Sequence, residues 1–184
     1  VADRVHEAGG TLFMQIMHGG RTSHPDLIDG ADPEAPSSFD WGGTVRGFSG
    51  KMDAPVPREL KTEELPRIVE EFLQGARRAI DAGVDGVEIH NANGYLLHEF
   101  MAASSNKRED EFGGSPENRW RLPEMVIRAV AEEIGADRVG VRFSPAHNVQ
   151  GVIEDDQDDM LATYGGLLDA LAPLNLAYVS LLHG

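Results

Sequence analysis

Four apolar runs, at residues 11–18, 84–90, 138–145 and 175–182, turn polar at their carboxyl ends, and helical repeats separate them. That order constrains the fold more than any other feature of the chain. Helix-length crossovers imply parallel strands. The runs are nearly all apolar, as strands covered on both faces are. The repeat at 62–83 carries Leu65, Ile68, Val69, Phe72, Leu73, Ala76, Ala79 and Ile80 on one stripe. Thr62 is its expected cap. A second helix is expected over 115–135, started by Ser115-Pro116 and stopped by Gly135. A third runs over 155–172, and a short one over 96–101. An open doubly wound sheet and part of a (β/α)8 barrel both fit this order. No G-x-G-x-x-G follows a strand, which weighs against a dinucleotide-binding sheet. A full barrel takes about 250 residues. Four units in 184 residues therefore read as the middle of one, an incomplete (β/α)8 TIM barrel in a single domain over 1–184.

The opening residues read as the last turns of a helix stopped at Gly9-Gly10, so the chain is expected to begin in mid-protein. Between about 22 and 61 lies a long irregular excursion with five prolines, expected to be a lid or to carry a hairpin of its own. The formal net charge of −15 argues against nucleic acid or an anionic membrane as partner. The absence of cysteine excludes a thiol nucleophile or a cysteine-bound cluster within these residues. No apolar run approaches a membrane span, and no signal peptide is expected. A cytoplasmic protein acting on a small molecule is expected.

Parallel strands would bring their carboxyl ends to one mouth, presenting Gln15 and His18, then His90, then Arg142 and Ser144, then His183. The densest of these ends is His90-Asn91-Ala92-Asn93-Gly94-Tyr95. Imidazole, carboxamide and phenol can each donate a hydrogen bond while neutral. Such a set suits a carbonyl or phenolate oxygen better than a phosphate, which calls for arginine or lysine. Glu88 shares a face with His90 and is either an acceptor that fixes its tautomer or an ion-pair partner. A metal held by His18, His90, His183 and Glu88 is the alternative chemistry, though no short-range ligand spacing accompanies them.

Residues 90–97 (HNANGYLL), 105–119 (SNKREDEFGGSPENR), 138–145 (RVGVRFSP) and 15–25 (QIMHGGRTSHP) resemble the Old Yellow Enzyme family. Its members are FMN-dependent ene-reductases on a (β/α)8 barrel. The resemblance spans nearly the whole chain and implies that strands 3 to 6 of the barrel are present. It also implies roles. His90 and Asn93 would grip a substrate carbonyl, Tyr95 would give a proton to the alkene carbon, and Gln15 and Arg142 would hold the FMN ring. Hydride would come from flavin N5, with NAD(P)H as reductant. Two neutral donors on a carbonyl stabilise a developing enolate, and a phenol is protonated at neutral pH and can act as general acid. Met17 stands where many relatives carry tryptophan, at a position that shapes the substrate pocket. Two alternatives stay open: a relative acting on dienoyl-thioesters or amines, and an inactive part of a barrel. Unpaired edges at 11–18 and 175–182 would favour a homo-oligomer.

Overall fold

The structure, a computed structural model, describes residues 1–182. His183, a strand-end candidate, lies outside them. The chain opens with α1 (Ala2–Glu7) and turns at Gly9, φ +77. Strand β1 (Phe13–Ile16) follows. The excursion then holds short 3-10 turns, β2 (Glu34–Ala35), β3 (Thr44–Gly47), β4 (Gly50–Asp53) and β5 (Arg58–Glu59). The third and fourth strands form an antiparallel hairpin within the excursion, and β5 returns to pair in parallel with β2. Next come α2 (Leu65–Asp81), β6 (Gly86–Asn91), α3 (Leu96–Met101), α4 (Pro116–Arg119), α5 (Arg121–Ile134), β7 (Val139–Phe143), α6 (Gln157–Leu171) and β8 (Tyr178–Leu181).

The main sheet runs β1-β6-β7-β8, with every neighbouring pair parallel. Alternation sends Val87, Ile89, Val139, Val141 and Phe143 to the outer face, where all are fully buried. They pack in one cluster with Ile68, Phe72 and Ala76 of α2 and Val126, Ile127 and Val130 of α5. Helical spacing puts those residues on single stripes. The inner face differs from the all-apolar reading. It carries Gln15, Glu88, His90, Arg142 and Ser180, so one side of the sheet is chemically equipped. Deeper down it is floored by aromatics: the Phe13 ring covers Gly86 and the Tyr178 ring covers Gly140, with ring centroids 5.4 Å apart. A Cβ on Gly140 would lie 2.3 Å from Tyr178 Cζ, so the floor requires glycine there.

Two expected features differ in detail. The single helix over 115–135 is broken at Trp120, φ −85 and ψ −2. Pro123 has no N–H to give the Arg119 carbonyl, so an uninterrupted helix cannot form there. Thr62 is not a cap. Its hydroxyl donates to Asp110, and the Glu64 carboxylate accepts from the Lys61 N–H at 2.8 Å. Among the described residues no helix is long and apolar enough to cross a membrane.

Candidate active site

The site grows out of the end of β6. Glu88 and His90 point inward, while Asn91 points outward, is fully buried and donates to Met101 Sδ at 3.0 Å. The chain then turns through two left-handed residues, Asn93 at φ +57 and Gly94 at φ +76. Asparagine tolerates that region better than most residues. At Gly94 space decides as well: a Cβ would stand 2.8 Å from Gln150 Cβ and 2.9 Å from the Val149 carbonyl oxygen. Three hydrogen bonds hold the turn. The Asn93 N–H donates to Ser144 Oγ at 2.7 Å, Gln150 Nε2 donates to the Asn93 carbonyl at 2.7 Å, and the Gly94 N–H donates to His98 Nδ1 at 2.9 Å. Tyr95 sits just before α3, and its ring meets the His90 ring edge-on, centroids 4.9 Å apart at 71°.

His90 is 4% exposed, and its Nδ1 is buried without a protein partner among the described residues. Burial first, and then the Arg142 charge, push its pKa down to about 4. The imidazole is therefore neutral at neutral pH. Arg142 is the register partner of His90 on β7 and donates to Ser180 Oγ at 3.3 Å. The Asn93 carboxamide forms no hydrogen bond among the described residues, and its Oδ1 is buried. One layer deeper, Gln15 Nε2 donates to Glu88 Oε1 at 2.6 Å. Tyr178 also faces Glu88, and its pKa is pushed up to about 12 by burial and by that carboxylate. Among the described residues Glu88 neither bonds His90 nor forms an ion pair, as the two sequence readings had it, but orients Gln15.

Gln15, His90, Asn93, Tyr95 and Arg142 thus share the inner face and carboxyl end of one sheet. Met17 lies at the same end, just past β1, 46% exposed. It borders a recess of about 380 Å3 between β1 and α2, with Gln15 and His18 on one side and Glu71 and Phe72 on the other. His18 is turned out of the site. Its Nδ1 accepts from the Gly20 N–H, and its Nε2 stands 3.6 Å from Glu34 and 3.9 Å from Glu71. Among the described residues the alternative metal set is not assembled: His18 faces Glu34 and Glu71, away from His90 and Glu88.

Residues unremarked in the sequence brace the turn from behind. Arg21, 1% exposed between the Phe39 and Trp41 rings, donates from Nη2 to the Gln150 carbonyl at 3.2 Å. Its N–H donates to Glu99, whose carboxyl burial lifts to about pH 8 against the opposing Arg21 charge. His98 carried one readable signal, its place four residues after Gly94 on a helix, where a side chain reaches back one turn. Gln150 and Arg21 carried none, because each is brought in from a distant loop.

The NADH:flavin oxidoreductase / NADH oxidase family model matches residues 1–179. The chain belongs to that family, the family of Old Yellow Enzyme. It is 49% identical over 146 residues to the putative 12-oxophytodienoate reductase-like protein 2A of Arabidopsis thaliana, covering 79% of this chain and 53% of that protein. The structure of the Old Yellow Enzyme homologue from Zymomonas mobilis superposes with a TM-score of 0.93 at 37% identity, covering 100% of this chain and 50% of that one. Morphinone reductase in complex with tetrahydroNAD superposes at 0.86 with 39% identity, covering 98% of this chain and 51% of that one. The chain spans about half the length of these family members, and its parallel sheet is a four-stranded part of their (β/α)8 barrel.

Proposed function

We propose that the protein carrying these residues is an FMN-dependent reductase of activated C=C bonds in α,β-unsaturated carbonyl compounds, with NAD(P)H as reductant. The carrying observation is the His90–Tyr95 turn, where a neutral imidazole, an unpartnered carboxamide and a phenol meet at one strand end. His90 and Asn93 would donate to the substrate carbonyl oxygen. Neutral donors suit an oxygen that gains charge during reaction, because they stabilise it without forming a ground-state ion pair. Tyr95, packed on the His90 ring, would deliver the proton to carbon. Met17 would border the substrate.

The inner face also fits a flavin ring. Gln15 and Arg142 stand two strands apart, roughly 10 Å by ordinary strand spacing. Glu88 holds the Gln15 amide nitrogen, which leaves its carbonyl free to accept from a ring N–H. Arg142 has guanidinium donors beyond its one bond to Ser180 and favours negative charge on the ring edge beside it. Bound FMN would supply the hydride, and the protein orients both partners and protects the chemistry. The relatives' names, an oxophytodienoate reductase and a morphinone reductase held with a nicotinamide analogue, support the substrate class and the reductant. A reductant from the nicotinamide pool accords with a cytoplasmic setting.

Tyr95→Phe in the full-length enzyme tests the assignment. Alkene reduction should slow by about 10²–10⁴-fold, the usual contribution of a general acid. Reduction of the flavin by NAD(P)H should not change, since it needs no proton from Tyr95. Equal loss in both half-reactions would remove Tyr95 from its role.

A further inference from the structure

Resting on that reading, we propose that His98 and Glu154 are positioning residues that hold the Asn93–Gly94 turn, and with it the substrate-gripping groups, in register with the sheet. His98 is fully buried on α3, behind the turn. Its Nδ1 accepts from the Gly94 N–H at 2.9 Å. A backbone N–H can only donate, so Nδ1 carries no proton and a neutral ring carries its proton on Nε2. That nitrogen faces Glu154 Oε1 at 3.3 Å. The pair is not aligned as a hydrogen bond, so the carboxylate favours this tautomer through its charge. Glu154 is itself pinned. Its Oε2 accepts from the Ala146 N–H at 3.0 Å, and the Tyr164 hydroxyl of α6 donates to its two oxygens at 3.1 and 3.2 Å. The loop after β7 and α6 thus fix Glu154, Glu154 fixes the state of His98, and His98 satisfies Gly94.

The same loop supplies Ser144 and Gln150, which bond the Asn93 N–H and carbonyl. The turn is therefore gripped from two sides, and the His98 grip is the one that depends on a tautomer. Losing it would strand a buried N–H while leaving the other bonds in place.

The test uses the full-length FMN-loaded enzyme. In the unmodified protein, the 15N shifts of the His98 ring should show a bare Nδ1 and a protonated Nε2; a protonated Nδ1 overturns the proposal. His98→Asn puts an oxygen where Nδ1 was, and His98→Leu keeps bulk without an acceptor. His98→Leu should weaken phenol binding, read from flavin absorbance, by about tenfold, on the scale of one unsatisfied buried donor. It should raise KM for an enone and leave flavin reduction by NAD(P)H unchanged. His98→Asn should restore phenol affinity to within a few-fold of the parent. A lowered Tm with unchanged phenol affinity in His98→Leu would make His98 mere core packing and overturn the idea. If His98→Leu does not fold, a loss in His98→Asn of tenfold or more overturns it equally. A parent enzyme that binds no phenol at all refutes the proposed reaction, and this inference with it; a protonated Nδ1 refutes the positioning role alone.

Discussion

His90 shows how a residue legible in sequence acquires its chemistry from neighbours that are not. The strand-end pattern named His90, Asn93 and Tyr95, and the structure brings them together on one turn. The protonation state of His90 follows instead from burial and from Arg142 on the next strand, which hold its pKa near about 4 rather than the usual 6.5. In that interval the unfolded chain binds the proton and the folded chain does not. Stability therefore rises with pH across it and is lost as pH falls from about 6.5 toward 4. His90→Gln removes the titration. The full-length parent should lose Tm faster than this variant over that interval, and parallel curves would show that His90 is not held neutral. Glu88 gives the opposite lesson. Alternation put it on the correct face, but its partners are Gln15 and Tyr178, from strands on either side of the sheet, and no periodicity could name them.

At the scale of elements, glycines separate two costs that sequence alone merges. Gly9 and Gly94 have nearly the same backbone, φ +77 and +76. Nothing lies within 4 Å of a Cβ on Gly9, whereas Gly94 is crowded by Gln150 and Val149. Gly9→Ala should cost only left-handed strain, about 1 kcal/mol. Gly94→Ala adds overlap with a loop bonded to Asn93, and should cost about 1–3 kcal/mol more. The comparison is a pair of denaturant titrations on the full-length protein; equal losses would mean that the loop after β7 yields freely and does not hold the turn. The helical stripes of α2 and α5 were legible because burial against a sheet imposes a 3.6-residue period. The break between α4 and α5 is legible too, since Pro123 has no N–H for the Arg119 carbonyl. The excursion at 22–61 reads in sequence as a lid or a hairpin, and the seating of Phe39 and Trp41 on buried Arg21 has no local signal.

For the whole molecule, β1 and β8 are the outer strands of the described sheet. Met14, Val179 and Leu181 on them are 42%, 44% and 60% exposed. Open edges with apolar side chains recruit further strands. Residues 1–184 produced alone should accordingly self-associate at micromolar concentration, as seen by size-exclusion with light scattering; a monodisperse monomer would count against this. What the sequence by itself determined is the alternation of strands and helices, the parallel sheet, and the strand-end positions of Gln15, His90, Asn93, Tyr95 and Arg142. These follow from local periodicity and from the rule that parallel strands share an end. The tertiary structure alone decided that His18 faces away, that Glu88 orients Gln15, and that Ser144 and Gln150 clamp the turn. Each of those contacts joins residues from separate elements, so its geometry is set by how the layers pack rather than by any pattern along the chain.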